Sequence, residues 1–250
     1  MSKPNPLRRA TDMVRDLRER CPWDRVQTRE TLRPYLVEEV HELDYALGTG
    51  DPWAIREEVS DLLLHLAWQL VLADELGEFT ADNVADDLEL KMKRRHPHLF
   101  DLGPRQGWES LKRSERRGGL LDGLPPGMPD LLTSFRLQER AASVGFDWPD
   151  AHGPAEKLRE ELGEVEREAA EPEPDRERIT DEVGDLLFSV VNLSRKLGVA
   201  PGHALDRANR KFRARFERVE RLAEERGVDM HGADLAALDK LWDEAKEMAG

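Results

Sequence analysis

The stretch Glu38-Glu39-Val40-His41-Glu42, followed after fifteen residues by Glu58-Val59-Ser60-Asp61-Leu62-Leu63, decides how this chain folds. It is written twice. The second copy reads Glu160-Glu161-Leu162-Gly163-Glu164, then seventeen residues, then Glu182-Val183-Gly184-Asp185-Leu186-Leu187. Residues three apart on an α-helix are separated by about 300° and about 4.5 Å of rise, so their side chains share a face. Each copy therefore supplies one helix with a Glu/Glu pair and another with a Glu/Asp pair. Four carboxylates brought together form an all-oxygen nest that a hard divalent cation relieves.

Working outward, nearly every apolar run has helical rather than alternating spacing, on a background rich in Leu, Ala, Glu and Arg. The pattern predicts helices over Leu7 to Arg20, Pro34 to Leu47, Trp53 to Leu76 and Ala81 to Arg95 in the first half. Pro34 and Pro52 are placed in first turns, Gly48 and Gly77 at helix ends. The second half repeats the plan, with helices expected over Pro129 to Val144, Pro154 to Ala170, Asp175 to Leu197, Pro201 to Arg226 and Ala233 to Met248. Arg117 to Pro129, with four glycines and three prolines, is the linker signal. The correspondence extends past the acids. Lys91-Met92-Lys93-Arg94-Arg95 aligns with Lys211-Phe212-Arg213-Ala214-Arg215, and Trp108-Glu109-Ser110-Leu111-Lys112 with Trp242-Asp243-Glu244-Ala245-Lys246. The acidic motifs recur at an offset of 122 to 124 residues and the basic clusters at 120. The expected architecture is all-α, a tandem duplication of a helical-bundle domain: residues 1–117, a linker at 118–128, and residues 129–250.

Composition narrows the function classes. A formal charge of −14 over 250 residues, with 36% charged, opposes an extended nucleic-acid or anionic-membrane surface. It leaves room for a small anion received by a metal ion and a local basic cluster. No apolar run approaches the roughly 18 residues of a membrane span, and Met1 to Arg9 lacks an apolar signal region, which leads to the expectation of a cytoplasmic protein. Cys21 stands alone, so an internal disulfide is excluded and a reducing compartment fits.

One E-x-x-D in an acidic chain is ordinarily a solvated face. Here Asp61 and Asp185 lead into Leu64, Leu66, Ala67 and Leu70, and into Val190, Val191 and Leu193. Such helices are expected to be largely buried, with the carboxylates at the edge of a core where unpaired charge is costly. Pairing with Arg56 and Arg178 is the structural alternative to a cation. Di-iron bundles use Glu-x-x-His, but Glu38-x-x-His41 has Gly163 at the matching second-half place, so Mg²⁺ or Mn²⁺ is favoured over iron or zinc. His96-Pro97-His98 has no second copy and reads as a turn. The basic clusters beside a cation nest suit a polyphosphate, and Trp242 or Trp108 could stack on a base. No glycine-rich phosphate loop is present, so phosphate has to be held by metal and side chains.

The order E-E-x-x-E, then E-x-x-D followed by Leu-Leu, resembles the MazG-type all-α nucleoside triphosphate pyrophosphohydrolases. Cys21-Pro22-Trp23-Asp24, Arg94-Arg95-His96-Pro97-His98 and Val144-Gly145-Phe146-Asp147-Trp148 extend the resemblance over nearly the whole chain. It implies a homodimer of helical bundles that hydrolyses nucleoside triphosphates to monophosphate and pyrophosphate with Mg²⁺. Carried over residue by residue, it implies metal ligands at Glu161, Glu164, Glu182 and Asp185, with Glu39, Glu42, Glu58 and Asp61 matching them in the first half. It places nucleotide contacts at Lys157, Arg178, Lys211, Arg215 and Trp242. Glu160 (or Glu38), beside each nest, is the candidate base. Lys157 and Arg178 lie one turn before Glu161 and Glu182, whereas the first half has Tyr35 and Ala54 there, so the C-terminal half is expected to carry most of the activity. The same residues admit a hydrolase restricted to one nucleotide such as dUTP, a Mg-nucleotide-sensing module without turnover, or a structural helical protein with salt-bridged carboxylates. Magnesium-dependent thermal stabilisation separates the last from the rest.

Overall fold

The computed structural model describes residues 5–104 and 118–247, and within them the chain forms ten α-helices, one 3-10 turn and no strand. It divides into two compact units, Met1–Leu111 and Lys112–Gly250. The first holds α1 (Pro6–Arg20), the short α2 (Pro22–Arg25), α3 (Arg29–Thr49), α4 (Pro52–Leu76), α5 (Ala81–Arg95) and the 3-10 turn Pro97–Leu99. The second holds α6 (Asp130–Ala142), α7 (His152–Ala169), α8 (Arg176–Lys196), α9 (Pro201–Arg226) and α10 (Leu235–Glu247). In order and content α1, α3, α4 and α5 answer to α6, α7, α8 and α9. Trp108 to Lys112, matched above to Trp242 to Lys246, lie outside the described residues.

The helix ends follow their capping chemistry, with two differences from expectation. Asp51 and Asp175 accept from the backbone N–H of Trp53 and Glu177, each supplying an N-cap ahead of a nest-bearing helix. Thr80 forms a capping box with Asn83. Pro34, however, does not begin α3. The reciprocal Thr28/Thr31 box starts the helix at Arg29, so Pro34 lies inside it and the helix runs on without the bond that its nitrogen cannot donate. Nor does Gly48 end α3. The stop falls at Gly50, whose φ of 74° is the left-handed cap that a side chain resists, as at Gly77 with φ 67°.

In the first unit α4 packs on both α3 and α1, with Val14, Leu32, Ala67, Trp68, Val71 and Leu72 at the centre. In the second, α8 packs on α7 and α6, while α9 packs on α10 around Val219, Ala223, Leu241 and Ala245. The expectation that the nest-bearing helices are largely buried is corrected by the structure. Leu66 remains 58% exposed and Leu187 53%, with Val40, Leu64, Phe188 and Val190 also open. A single unit has too few helices to cover both sides of α4 or α8. Helix α5 buries none of its residues.

Polar staples close each unit. Arg18 on α1 makes two 2.7 Å hydrogen bonds to Glu75 on α4, donates from Nη1 to the carbonyls of Asp24 and Gln27, and stacks over Trp68. Arg140, the matching residue of α6, donates instead to the carbonyls of Leu121 and Asp122, which ties the segment expected as a linker onto the second unit. Asp147 anchors the turn after α6 to the end of α8 through Arg195 at 2.5 Å and Lys196 at 2.9 Å. Trp148 then lies against Gly153, where a Cβ would meet the indole at 2.0 Å. Arg195 and Lys196 hold the Asp147 carboxyl down to about 2 against the opposing effect of burial.

A folded-state value below the unfolded one stabilises the protein above about pH 4, and that stability fades as pH falls from about 4 towards 2. Asp147→Asn should therefore cost about 2 kcal/mol in urea unfolding at neutral pH, and the gap from wild type should close across that acid window.

Candidate active site

Each acidic motif sits on an antiparallel helical hairpin, and the spacing explains why its two halves meet. Glu42 lies seven residues before the end of α3 at Thr49, and Glu58 lies six after the start of α4 at Pro52. At 1.5 Å per residue both stand about 10 Å from the turn, at one level across the α3–α4 seam. In the second unit Glu161 and Glu164 on α7 face Glu182 and Asp185 on α8 in the same way. Oxygens of Glu39, Glu42 and Glu58 lie within 4.8 Å of one another, as do those of Glu161, Glu182 and Asp185. Asp61 and Glu164 stand just outside these closest groups, yet act on them electrostatically.

The carboxylates strain against each other. Burial, reinforced by Asp61, Glu42 and Glu58, raises Glu39 above the ordinary carboxylate range. Burial, then Glu42, Glu57 and Asp61, raises Glu58. Burial, then Glu164, Glu161, Asp185 and Glu168, raises Glu182. Partial desolvation and like charge both favour the protonated form, and a cation opposes both. The donor set fits magnesium. Oxygens on opposite sides of an octahedral ion stand about 4.2 Å apart, so each trio needs little movement to share one, and among the described residues each trio is made of carboxylates alone, with His41 bordering the first.

The cations divide the two sites. Lys157 reaches Glu161 at 2.6 Å and Glu160 at 3.0 Å. Glu161 itself is only 4% exposed. The two carboxylates push the Lys157 ammonium well above its usual value. Arg178 does not turn to Glu182. It crosses the hairpin to Glu168 at 2.6 Å, a residue two turns beyond Glu161 whose i, i+3, i+7 spacing with Glu161 and Glu164 is its sequence signal. Arg56 lies over the Trp53 ring at 5.3 Å and forms no ion pair among the described residues. Among the described residues no lysine or arginine forms an ion pair with Glu39, Glu42, Glu58 or Asp61. Tyr35, in the place of Lys157, packs edge-on to Trp23 with centroids 6.3 Å apart. Glu38 shares a shallow cleft with His41, Glu42, Tyr45 and Glu58.

Lys211 and Arg215 project from α9, Lys211 exposed and Arg215 half-buried with its Nε shielded and unpartnered. Neither forms an ion pair with the nest carboxylates among the described residues. Trp242 packs at the margin of the α9–α10 core, its ring 5.2 Å from Phe212, which in turn stacks on Phe216. The aromatic group therefore has a packing role whatever else it meets.

Known proteins are similar to this chain in sequence over most of its length. The MazG nucleotide pyrophosphohydrolase domain matches residues 27–100 and again residues 152–220. Those spans contain all eight nest carboxylates together with Lys157, Arg178, Lys211 and Arg215, and leave Trp242 outside. The nucleoside triphosphate pyrophosphohydrolase/pyrophosphatase MazG of Thermotoga maritima is 41% identical over 234 residues, covering 91% of this chain and 90% of that protein. The nucleoside triphosphate pyrophosphohydrolase of Escherichia coli K12 is 36% identical over 244 residues, covering 93% of each. The uncharacterized protein YabN of Bacillus subtilis is 38% identical over 247 residues, covering 94% of this chain and 50% of its own length. With its domain matched in both halves and its full-length relatives this similar, the chain belongs to the MazG nucleotide pyrophosphohydrolase family.

Proposed function

We propose that the protein hydrolyses nucleoside triphosphates to nucleoside monophosphate and pyrophosphate in a Mg²⁺-dependent reaction, Mn²⁺ being able to substitute, with the second unit as the main active site. The observation that carries this is the Glu161, Glu182 and Asp185 trio, within 4.8 Å and next to Lys157, on the hairpin that the family match covers. Bound magnesium would supply charge neutralisation on the phosphates and lower the pKa of water. The chain's own residues do the rest. Lys157, Arg178, Lys211 and Arg215 are the cations available to a triphosphate, and Trp242 offers an aromatic face to the base. Glu160 is the carboxylate we assign to take a proton from water attacking the α-phosphorus, with Glu38 as its first-unit counterpart. Glu160 is engaged by Lys157 at 3.0 Å, so it becomes available as the lysine turns to phosphate.

The wider setting is part of the same reading. Broad use of triphosphates as nucleotide-pool housecleaning in the cytoplasm suits a site whose polar groups address phosphate and metal. No helix among the described residues is long and apolar enough to cross a membrane. A homodimer would cover apolar surface such as Leu66 and the open face of α5 in the first unit, and Leu187 and Phe188 in the second, which neither unit covers by itself.

Phosphorus NMR of each common nucleoside triphosphate with enzyme and Mg²⁺ should show monophosphate and pyrophosphate; diphosphate plus orthophosphate would overturn attack at the α-phosphorus. Glu161→Gln should reduce kcat by on the order of 100-fold or more, and Glu39→Gln by far less; equal losses would refute the assignment to the second unit. Mg²⁺ at about 100 times its Kd should raise native-state stability by about 2.7 kcal/mol per site, a gain abolished by chelator and diminished in Glu182→Gln.

A further inference from the structure

The two acidic nests carry the same carboxylates in order and differ in the cations around them, and one of those differences, at Lys157, predicts how each takes up its cation. In the second unit the place next to the buried Glu161 carboxylate already holds a positive charge, the Lys157 ammonium at 2.6 Å, which also reaches Glu160 at 3.0 Å. In the first unit the matching position is Tyr35, turned to Trp23, and the matching carboxylate Glu39 has no ion-pair partner among the described residues. Building on the metal-dependent reading above, we propose that Lys157 is an internal counter-ion that occupies the second nest until a metal-bound triphosphate arrives, so that this unit binds free divalent cation weakly and takes it up together with nucleotide, whereas the first unit binds free cation on its own.

The argument is one of competition. A divalent ion approaching Glu161 meets a lysine already bonded to that carboxylate, and displacing the ammonium alone leaves it beside a second cation. A triphosphate changes the balance, because its oxygens accept the ammonium as it leaves Glu161 and Glu160. Metal and nucleotide therefore support each other through one side chain, and by linkage each strengthens the other's binding by the same factor. Lys157 is only three and four residues from its partners on α7, so a rotamer change moves the charge without any shift of the helix. Nothing of this kind is available to the first nest, where Ala54 also replaces Arg178. Among the described residues that nest holds no ion-paired cation for a free metal ion to expel.

The test is Mn²⁺ binding to the full-length chain, followed by electron paramagnetic resonance and calorimetry, with and without an α,β-imido nucleoside triphosphate that resists hydrolysis. Two classes of free-Mn²⁺ site are expected, the tighter lost in Glu39→Gln and the weaker lost in Glu161→Gln. The analogue should tighten only the weaker class, by roughly tenfold, a common size for coupling between ligands. Lys157→Met should strengthen free-Mn²⁺ binding at the weaker class by a similar factor and shrink its coupling to nucleotide, while Lys157→Arg should retain both wild-type properties. Lys157→Gln serves in place of the methionine variant if that chain loses its helical circular dichroism. Loss of neither class in Glu39→Gln and Glu161→Gln would remove the metal nests themselves, and with them the metal-dependent reading. Loss of the weaker class in Glu161→Gln, with free-Mn²⁺ affinity unchanged on removing the Lys157 charge, would leave the nests standing and overturn the counter-ion.

Discussion

Repulsion between carboxylates across a helical hairpin is the constraint around which this molecule is arranged. Each hairpin brings two acidic pairs to the same level, and each raises the proton affinity of at least one member, Glu39 and Glu58 in the first unit and Glu182 in the second. Such a seam persists because other interactions hold the helices together: packing of α4 on α1 and α3 and of α8 on α6 and α7, caps at Asp51 and Asp175, and staples at Arg18 and Asp147. Local destabilisation at a site, balanced by stabilisation away from it, is the usual economy of a binding centre.

Duplication lets the two seams be read against each other. Their carboxylates are equivalent in order, and their cations are not. Lys157 and Arg178 give the second seam cations paired to Glu161 and Glu168, while the matching positions of the first are the uncharged Tyr35 and Ala54. The staples diverge as well. Arg18 fastens the chain that follows α1, whereas Arg140 fastens the chain that precedes α6. Equivalent helices thus persist under different loop arrangements, because the hairpin geometry depends on the helix pair and not on which segment closes the bundle.

Family membership and site geometry meet in the same residues. The matched spans enclose the nests and the basic residues of α5 and α9, and the all-oxygen donor set suits a hard cation that bridges phosphates. The exposed apolar side chains of α4, α5 and α8 border this chemistry with surface that neither unit covers by itself.

Helical periodicity was sufficient to place nine of the ten helices, since 3.6-residue patterning, first-turn prolines such as Pro52 and terminal glycines such as Gly77 are local signals. The acidic groups were equally legible, because i, i+3 spacing determines a face before any tertiary contact exists. Pro34, Gly48 and the short α2 were not, since a Thr28/Thr31 box, a Gly50 left-handed cap and the Arg18 contacts outweighed residue type. What only the tertiary structure decided is where the charges go. Arg178 stands one turn from Glu182 in sequence yet pairs across the hairpin with Glu168, and Arg56 stacks on Trp53. Long side chains choose partners by what the neighbouring helix presents within their reach, and a one-dimensional pattern holds no record of that choice.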